Sequence, residues 1–243
     1  MNYGRQGLAK RQKSLNSRSR KRANKVGLIF EMVLFLLMVG MVAMVFCVGF
    51  GAFRGILDSA PDISNIDVTP TGYSTFVYDS QGNQTAKLVS TDSNRIPVTL
   101  DMVPKDLQHA FVAIEDERFY QHPGIDVQGI IRAMVIGVST GHFSEGASTI
   151  TQQLIKNNVF TGWTDESFSE SVRRKIQEWY LAIELEKTMS KDDILLNYMN
   201  TINLGHNTLG VEAASRRYFG KSVSKLNLSE CAVIAGITQN PTY

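Results

Sequence analysis

A long apolar run near the N-terminus constrains the fold of this chain more than any other feature. Residues 26–53 read VGLIFEMVLFLLMVGMVAMVFCVGFGAF, in which Glu31 is the only charged residue, and the 19 residues from Met32 to Phe50 carry no charge. A helix of that length, rising about 1.5 Å per residue, can cross a hydrocarbon core of about 30 Å. The run exceeds the roughly 7–15 apolar residues of a cleaved signal peptide, so we expect an uncleaved membrane anchor over 26–53.

The residues before the anchor form a separate, basic segment. The chain has 25 Lys and Arg against 23 Asp and Glu, and nine of the basic residues but none of the acidic ones fall within 1–25. Such a polar segment cannot bury apolar surface, so we expect it to be disordered. Nucleic acid could bind a basic tail, but basic residues directly before a membrane span favour a cytoplasmic location for that side. We therefore expect a cytoplasmic tail over 1–25, no nucleic-acid partner, and an extracytoplasmic location from about residue 54 onward.

The remainder predicts a mainly α-helical protein with a small β-containing lobe. Residues 54–103 read as a linker followed by a hairpin, whose strands are predicted at Ser74–Tyr78 and Thr85–Val89 around Gln81-Gly82-Asn83. Residues 104–243 then form a helical domain. Apolar residues at helical spacing predict helices at 104–119, 126–140, 149–158, 168–188, 190–200, 208–218 and 228–237.

Cysteine usage indicates neither a disulfide framework nor a structural metal. Cys47 falls inside the apolar run and Cys231 far downstream, and no Cys/His spacing of a metal site occurs. Cys231 lies in the apolar stretch LSECAVIAGI, so we expect it to be a small core residue.

The stretch IEDERFYQHPGID places two adjacent carboxylates, Glu115 and Asp116, inside an apolar, helix-like run from His109 to Phe119. Glu115 lies four residues after Phe111, so in a helix one side of its carboxylate faces the same packed surface as that phenylalanine. An ionised carboxylate at such a surface is costly unless it is paired. The run breaks at the turn His122-Pro123-Gly124. Taken alone, the pair is either a solvated acidic helix end or a positioned catalytic base.

The stretch GASTITQQLIKN concentrates hydroxyl and amide groups at the start of a predicted helix. Ser148 or Thr149 can cap this helix, whose free N–H groups attract anions. Gln152, Gln153 and Lys156 lie one turn apart, so their donors are expected to share a face. The stretch is either an ordinary capped helix with a polar stripe or a site for a polar or phosphorylated ligand.

The stretch RRKIQE combines three cations with a carboxylate on one helix. Arg174 and Glu178 are four residues apart and share a face, and Arg173 and Lys175 flank that arginine. The group could clamp a phosphate beside a catalytic acid, or it could be an ordinary charged helix start. Basic residues at a helix N-terminus oppose the helix dipole, which favours an anionic ligand.

These three stretches, followed by ILLNYMNTINLG and GVEAASRRYFGKS, resemble glycosyltransferase family 51 over roughly residues 70–243. These peptidoglycan glycosyltransferases occur as the N-terminal module of class A penicillin-binding proteins and as monofunctional enzymes. The resemblance implies a lysozyme-like helical fold with a smaller membrane-proximal lobe. It implies polymerisation of lipid II into β-1,4 glycan strands, with inversion and release of undecaprenyl pyrophosphate. The implied partners are lipid II, the growing lipid-linked glycan, the membrane, and cell-wall elongation or division proteins.

The resemblance also assigns roles to individual positions. Glu115 matches the general base that takes the proton from the 4-hydroxyl of the acceptor sugar. Glu178 matches a second essential glutamate, which assists departure of the pyrophosphate or holds a divalent ion such as Mg²⁺ or Mn²⁺ near it. The implied substrate-binding positions fall into three groups: donor-phosphate contacts at Lys156, Arg173, Arg174 and Lys175; cleft residues Ser148, Thr149, Gln152 and Gln153; and supports of the base at Asp116, Phe119 and His122.

The chain departs from the family pattern in three places. Leu196 replaces a glutamate that the family usually has, and we expect a packing role there. The stretch FTGWTDESFSES at 160–171 is longer than usual, and we expect it to be part of a flap over the cleft. Family members normally continue past the equivalent of Tyr243, so we expect this chain to be a truncated form that lacks a following module.

Two other functions fit parts of the same pattern. A lysozyme-like lytic enzyme would share the fold and one catalytic glutamate, but it would need neither Glu178 nor the cations beside it. A non-catalytic membrane scaffold for cell-wall assembly would keep the anchor and tolerate the loss of Glu115.

Overall fold

The computed structural model describes residues 4–15, 17–62, 66–89, 94–141, 146–160 and 166–240. The chain divides into two compact units, Met1–Asp58 and Ser59–Tyr243. The described residues are mostly helical, and their one sheet has two antiparallel strands. The predicted fold class, mainly α with a small hairpin and an apolar N-terminal helix, is therefore confirmed.

The N-terminal unit consists of helix α1 (Arg5–Leu15) and helix α2 (Arg18–Asp58). Within the described chain, one stretch is long and apolar enough to cross a membrane, Asn24–Asp58, with a mean hydropathy of 2.8. The helix thus extends beyond Phe53, where the apolar run ends. The expectation of disorder in the basic tail is wrong for α1, because Ala, Leu, Lys, Arg and Gln are all good helix formers. The described side chains of α1 are almost all exposed, so this helix depends on local propensity rather than on packing.

The second unit begins with the predicted hairpin. Strand β1 (Thr75–Tyr78) pairs with strand β2 (Gln84–Leu88), with Thr75 opposite Leu88. Gly82 has a positive φ of 82° in the connecting turn, and the Asp79 carboxylate accepts hydrogen bonds from the turn's backbone N–H groups. A glycine and an Asx residue at these positions are what a tight turn requires.

The segment after the hairpin is fixed to the helical part of the unit by polar contacts. The buried Arg95 donates from Nε to the carbonyl of Asn200 at 2.7 Å. The Asn200 side chain bonds both the N–H and the carbonyl of Val98, each at 3.0 Å. Because these groups are buried and mutually satisfied, they hold the small lobe in one position against the helices.

Seven α-helices follow within the described residues, and most of their bounds lie within one residue of the sequence prediction. They are α3 (Lys105–Glu115), α4 (Val127–Thr140), α5 (Ile150–Val159), α6 (Phe168–Thr188), α7 (Lys191–Thr201), α8 (Val211–Phe219) and α9 (Leu228–Ile237). Residues 161–165, part of the expected flap, lie outside the described residues.

Two helix boundaries were predicted wrongly. Helix α3 ends at Glu115 rather than at 119, because Asp116 leaves helical geometry (φ −159°) and its carboxylate bonds the first N–H of α5. Helix α8 begins at Val211 rather than at 208, because Gly210 takes a positive φ of 79° against the carbonyl of Asn200.

The core is built around α5, which packs against α6 and α7, while α3 packs against α9. Ile150, Leu154 and Ile155 on α5 are fully buried. Cys231 is also buried, as predicted. Leu196, which replaces the usual glutamate of the family, is partly buried and packs against the core. Its side chain therefore has the packing role expected from the sequence. Burial of α5 fixes the helix whose N-terminal turn carries the polar residues of the candidate site.

Candidate active site

Glu115 is the last residue of α3, and both of its carboxylate oxygens are hydrogen-bonded. Gln153 donates from Nε2 to Oε2 at 2.7 Å. On the other oxygen, Thr238 donates from its hydroxyl and Gln239 donates from Nε2 at 3.3 Å. The structure therefore brings Glu115 together with Gln153, one of the residues expected to line the cleft, and adds two residues after α9 that sequence reasoning missed.

The amide of Gln153 is itself oriented by a buried tyrosine. The Tyr198 hydroxyl donates to Oε1 of Gln153 at 3.3 Å. Burial raises the pKa of the Tyr198 hydroxyl well above its ordinary value, so this group stays protonated and remains a donor. With Oε1 engaged by Tyr198, the amide Nε2 of Gln153 points to Glu115.

Asp116, directly after Glu115, connects the turn to the start of α5. Its carboxylate accepts from Nε2 of His122 at 2.9 Å and from the backbone N–H of Ile150 at 3.1 Å. A carboxylate at a helix N-terminus is stabilised by the free N–H groups and by the helix dipole. Phe119 is buried and meets the His122 ring edge-on at 6.4 Å between ring centroids. These contacts of Asp116, Phe119 and His122 fix the backbone that follows Glu115.

Two residues of the GASTITQQ stretch, Thr149 and Gln152, bond to the backbone of Gly124. Thr149 caps α5 by accepting from the N–H of Gln152, and its hydroxyl donates to the carbonyl of Gly124 at 2.7 Å. The Gln152 amide donates to the same carbonyl at 3.2 Å. Both side chains are buried, and Thr149 nevertheless helps to line a polar cleft beside Glu115, so a role of these two residues in ligand binding stays a prediction. Of the four hydroxyl and amide residues expected to line the cleft, Ser148 and Gln153 remain partly exposed.

Glu178 is fully buried on α6 and is paired with two cations of the same helix. Arg174 donates from Nη1 to Oε1 of Glu178, and Lys175 donates from Nζ to Oε2 at 2.8 Å. Lys175 also donates to the Ser148 hydroxyl at 2.8 Å, which connects α6 to the segment before α5. The predicted pairing of Arg174 with Glu178 is present in the structure.

Arg174 has a second acidic partner that the sequence did not reveal. Its Nε lies 2.9 and 2.8 Å from the two carboxylate oxygens of Glu166, the residue before the α6 N-cap. Burial disfavours the charged guanidinium, but the hydrogen bonds and charges of Glu166 and Glu178 outweigh it and raise the pKa of Arg174.

The other two predicted phosphate contacts differ in position. Lys156 is partly buried, and burial lowers its pKa, while the charges of Glu178 and Glu115 act in the opposite direction. Its ammonium group is therefore within electrostatic reach of both glutamates. Arg173 is exposed, and its charge acts on Glu170 at the outer side of α6. Arg173 does not join the cations that contact Glu178.

A polar cleft of about 140 Å³ is lined by Glu115 and, among other residues, by Ser148 and Thr149. Arg118 and Arg132 also line it, and neither was singled out in the sequence. Arg118 binds Asp126, the N-cap of α4, at 2.5 Å. Four acidic residues, Glu115, Asp116, Glu117 and Asp126, line the cleft together with two arginines and two hydroxyl residues, which makes it a site for a polar ligand rich in hydrogen-bonding groups.

The described residues do not form a protein-bound metal centre. No group of three or more His, Cys, Asp or Glu side chains lies close enough together in this part of the chain to hold an ion. Both oxygens of Glu178 face cations, which disfavours a divalent ion at the same carboxylate. We therefore assign no step to Mg²⁺ or Mn²⁺.

A helical domain with one glutamate held by neutral donors and a second held by cations indicates a sugar-transferring enzyme. The chain belongs to the transglycosylase family, whose model matches residues 81–243, and the resemblance to glycosyltransferase family 51 is thereby confirmed.

Curated relatives of the chain are named penicillin-binding protein 1A. The protein from Clostridium botulinum (strain Langeland) is 44% identical over 216 residues, which cover 86% of this chain and 25% of that protein. The protein from Clostridium perfringens (strain 13) is 46% identical over 191 residues, 77% of this chain and 27% of that protein. The protein from Escherichia coli K12 is 42% identical over 193 residues, 79% of this chain and 22% of that protein. The chain thus spans about a quarter of the length of these relatives.

Proposed function

We propose that this chain is a membrane-anchored peptidoglycan glycosyltransferase that polymerises lipid II into β-1,4 glycan strands and releases undecaprenyl pyrophosphate. Family membership supports the reaction class. The observation that carries the assignment is the contrast between the two glutamates. Glu115 accepts hydrogen bonds from neutral side chains, whereas Glu178 holds two cations in place.

Glu115 is proposed as the general base. Both of its oxygens face donors, so the carboxylate is held in one orientation beside the polar cleft. The 4-hydroxyl of the acceptor sugar replaces one of these donors and transfers its proton to the carboxylate as its oxygen attacks the anomeric carbon. A positioned base of this kind contributes typically about 10²–10⁴-fold to the rate.

The leaving group needs positive charge rather than a proton. As the new C–O bond forms, the bond from the anomeric carbon to the phosphate oxygen breaks on the opposite face, which inverts the configuration. The electron pair passes to the pyrophosphate, and Lys156, Arg174 and Lys175 are proposed to stabilise it. The role proposed for Glu178 is to hold Arg174 and Lys175 at that position.

The proposed location follows from the N-terminal unit. Helix α2 supplies an apolar span, and the basic residues before it favour a cytoplasmic N-terminus. The domain from 104 onward, and the lobe at 54–103, would then lie outside the cytoplasmic membrane. Anchorage keeps the enzyme beside its lipid-linked substrate and beside proteins of cell-wall elongation or division.

A lytic enzyme is the main alternative, and the contacts of Glu115 argue against it. Glycoside hydrolysis requires a carboxylic acid that donates a proton to the departing sugar oxygen. The two oxygens of Glu115 instead accept from the amides of Gln153 and Gln239, an arrangement that favours the ionised carboxylate. The pyrophosphate leaving group of a lipid-linked donor is already anionic and needs no such acid.

The test is incubation of the detergent-solubilised chain with labelled lipid-linked disaccharide-pentapeptide, followed by gel separation of the products. We expect a ladder of long glycan and no release of labelled sugar from purified cell wall. Sugar release without a ladder would identify a lytic enzyme. The absence of both activities would identify a scaffold.

A further inference from the structure

Arg174 lies between two carboxylates in the structure. Glu178 binds its Nη1 atom, and Glu166 binds its Nε with both carboxylate oxygens at 2.9 and 2.8 Å. The side chains of Arg174 and Glu166 are 13% and 17% exposed, so the pair is largely shielded from water. Glu166 takes the Nε–H and Glu178 takes one N–H of Nη1, and the two carboxylates together outweigh the single positive charge that the guanidinium could offer a phosphate.

Glu166 is not needed to begin α6. The N-terminus of that helix is capped by Ser167 and Glu170, which form a reciprocal capping box. Glu166 precedes the cap, so its side chain can turn away without breaking a helical hydrogen bond. Within the described residues, both of its hydrogen bonds go to Arg174.

A carboxylate and a phosphate are both anions whose oxygens accept from the N–H groups at the edge of a guanidinium, so they compete for the same charge. Glu178 is buried, on the regular part of α6, and also holds Lys175, so it is the fixed partner of the arginine. Glu166 lies at the edge and is the exchangeable one. A pyrophosphate that approaches Arg174 therefore competes with Glu166 and leaves Glu178 in place.

We propose that Glu166 is an internal competitor of the substrate pyrophosphate for Arg174, so that the donor binds fully when Glu166 is displaced. This inference rests on the proposed function, since it assigns Arg174 to the phosphates of the donor. Glu166 holds the guanidinium in position between turnovers, and it weakens the ground-state binding of the phosphate.

The direct test is calorimetric titration of the full chain in detergent with inorganic pyrophosphate. Glu166→Gln should tighten binding by about three- to tenfold, because it removes one charged, partly buried partner of Arg174. Glu170→Gln is the matched control: it removes one negative charge from the same helix start but keeps the capping box, so its affinity should equal that of the wild type. In the double variant Glu166→Gln/Arg174→Gln the gain should disappear. Unchanged or weaker binding by Glu166→Gln would overturn the proposal.

Steady-state kinetics with the lipid-linked substrate provide a second readout. Competition predicts that Glu166→Gln lowers KM by a similar factor and leaves kcat near the wild-type value. A lower kcat with an equal or higher KM would mean that Glu166 positions Arg174 for the reaction, which contradicts competition. The two measurements also separate the polymerase assignment from the role of Glu166. If the wild-type chain is active but Glu166→Gln binds pyrophosphate with unchanged affinity, only the role of Glu166 is overturned. An inactive chain with tighter pyrophosphate binding in Glu166→Gln overturns the polymerase assignment alone.

Discussion

Glu115 and Glu178 are the same residue type, and their neighbours give them different chemistry. Glu115 is half-buried at the end of α3 and faces an amide, a hydroxyl and a second amide. Glu178 is fully buried and faces a guanidinium and an ammonium. An acceptor surrounded by neutral donors can exchange one of them for a sugar hydroxyl. A carboxylate that neutralises two cations is better suited to hold them.

Asp126 should contribute to the loss of folding free energy as the pH falls. Burial opposes ionisation, but the larger effect of the hydrogen bond from Arg118 lowers the pKa of Asp126 below its ordinary value of about 3.9. A lowered folded-state pKa stabilises the protein above the ordinary pKa, and this stabilisation is lost as the pH falls through the folded-state value. We therefore expect Asp126→Asn to lower the free energy of unfolding at pH 7 and to flatten its decline below about pH 4. Urea unfolding of both chains in detergent from pH 3 to 7 measures this, and parallel curves would contradict it.

At the scale of elements, the turn from Glu115 to Asp126 is held by contacts with three helices. Asp116 bonds the first N–H of α5, and the carbonyl of His122 accepts from Lys191 on α7 at 2.8 Å. Gly124 approaches the backbone of Ala182 on α6 so closely that a Cβ would lie 2.6 Å from its carbonyl oxygen. The carboxylate of Glu115 is thus placed by packing of the turn as well as by α3.

The close approach at Gly124 predicts a large effect of a single methyl group. Gly82 and Gly124 both have positive φ, but a Cβ at Gly82 would meet open space. Gly82→Ala should therefore cost about 1–2 kcal/mol of backbone strain. Gly124→Ala should cost about 1–3 kcal/mol more, because the turn must also move away from α6. Chemical unfolding of the two variants in detergent gives the difference, and equal losses would show that the contact with Ala182 is easily relaxed.

Sequence patterns predicted the elements well because their signals are local. The helical spacing of RRKIQE predicted the pair Arg174 and Glu178, and the hydroxyl before the apolar run of α5 predicted its cap. The partners of Glu115 could not be found in this way. Thr238 lies 123 residues further along the chain and reaches Glu115 because α9 packs on α3. The inward orientation of Gln152 was likewise set by Gly124, a tertiary contact that no spacing rule contains.

For the whole molecule, the N-terminal unit and the family domain make separate predictions. The family match begins at residue 81, after the apolar helix, and it names a reaction class without giving the orientation in a membrane. The excess of basic residues before α2 is the feature that predicts the side on which each unit lies. Orientation therefore needs its own measurement.

Single cysteines on either side of α2 test that orientation. Ser17→Cys and Ser80→Cys place a thiol at exposed positions, while the native Cys231 is buried. In intact spheroplasts, a membrane-impermeant maleimide should label Ser80→Cys at once and Ser17→Cys only after permeabilisation. The wild-type chain controls for Cys47 and Cys231. Immediate labelling of Ser17→Cys with protection of Ser80→Cys would reverse the proposed topology.

The most direct test of the central claim compares two carboxylates of α3 in the polymerisation assay. Glu115→Gln keeps the shape of the side chain and removes the base, so glycan synthesis should fall by about 10²–10⁴-fold. Asp106→Asn removes an exposed carboxylate from the first turn of the same helix that does not line the cleft, and its ladder should match that of the wild type. Equal thermal midpoints of the three chains would exclude a folding defect. Equal ladders from Glu115→Gln and the wild type would contradict the assignment of Glu115 as the catalytic base.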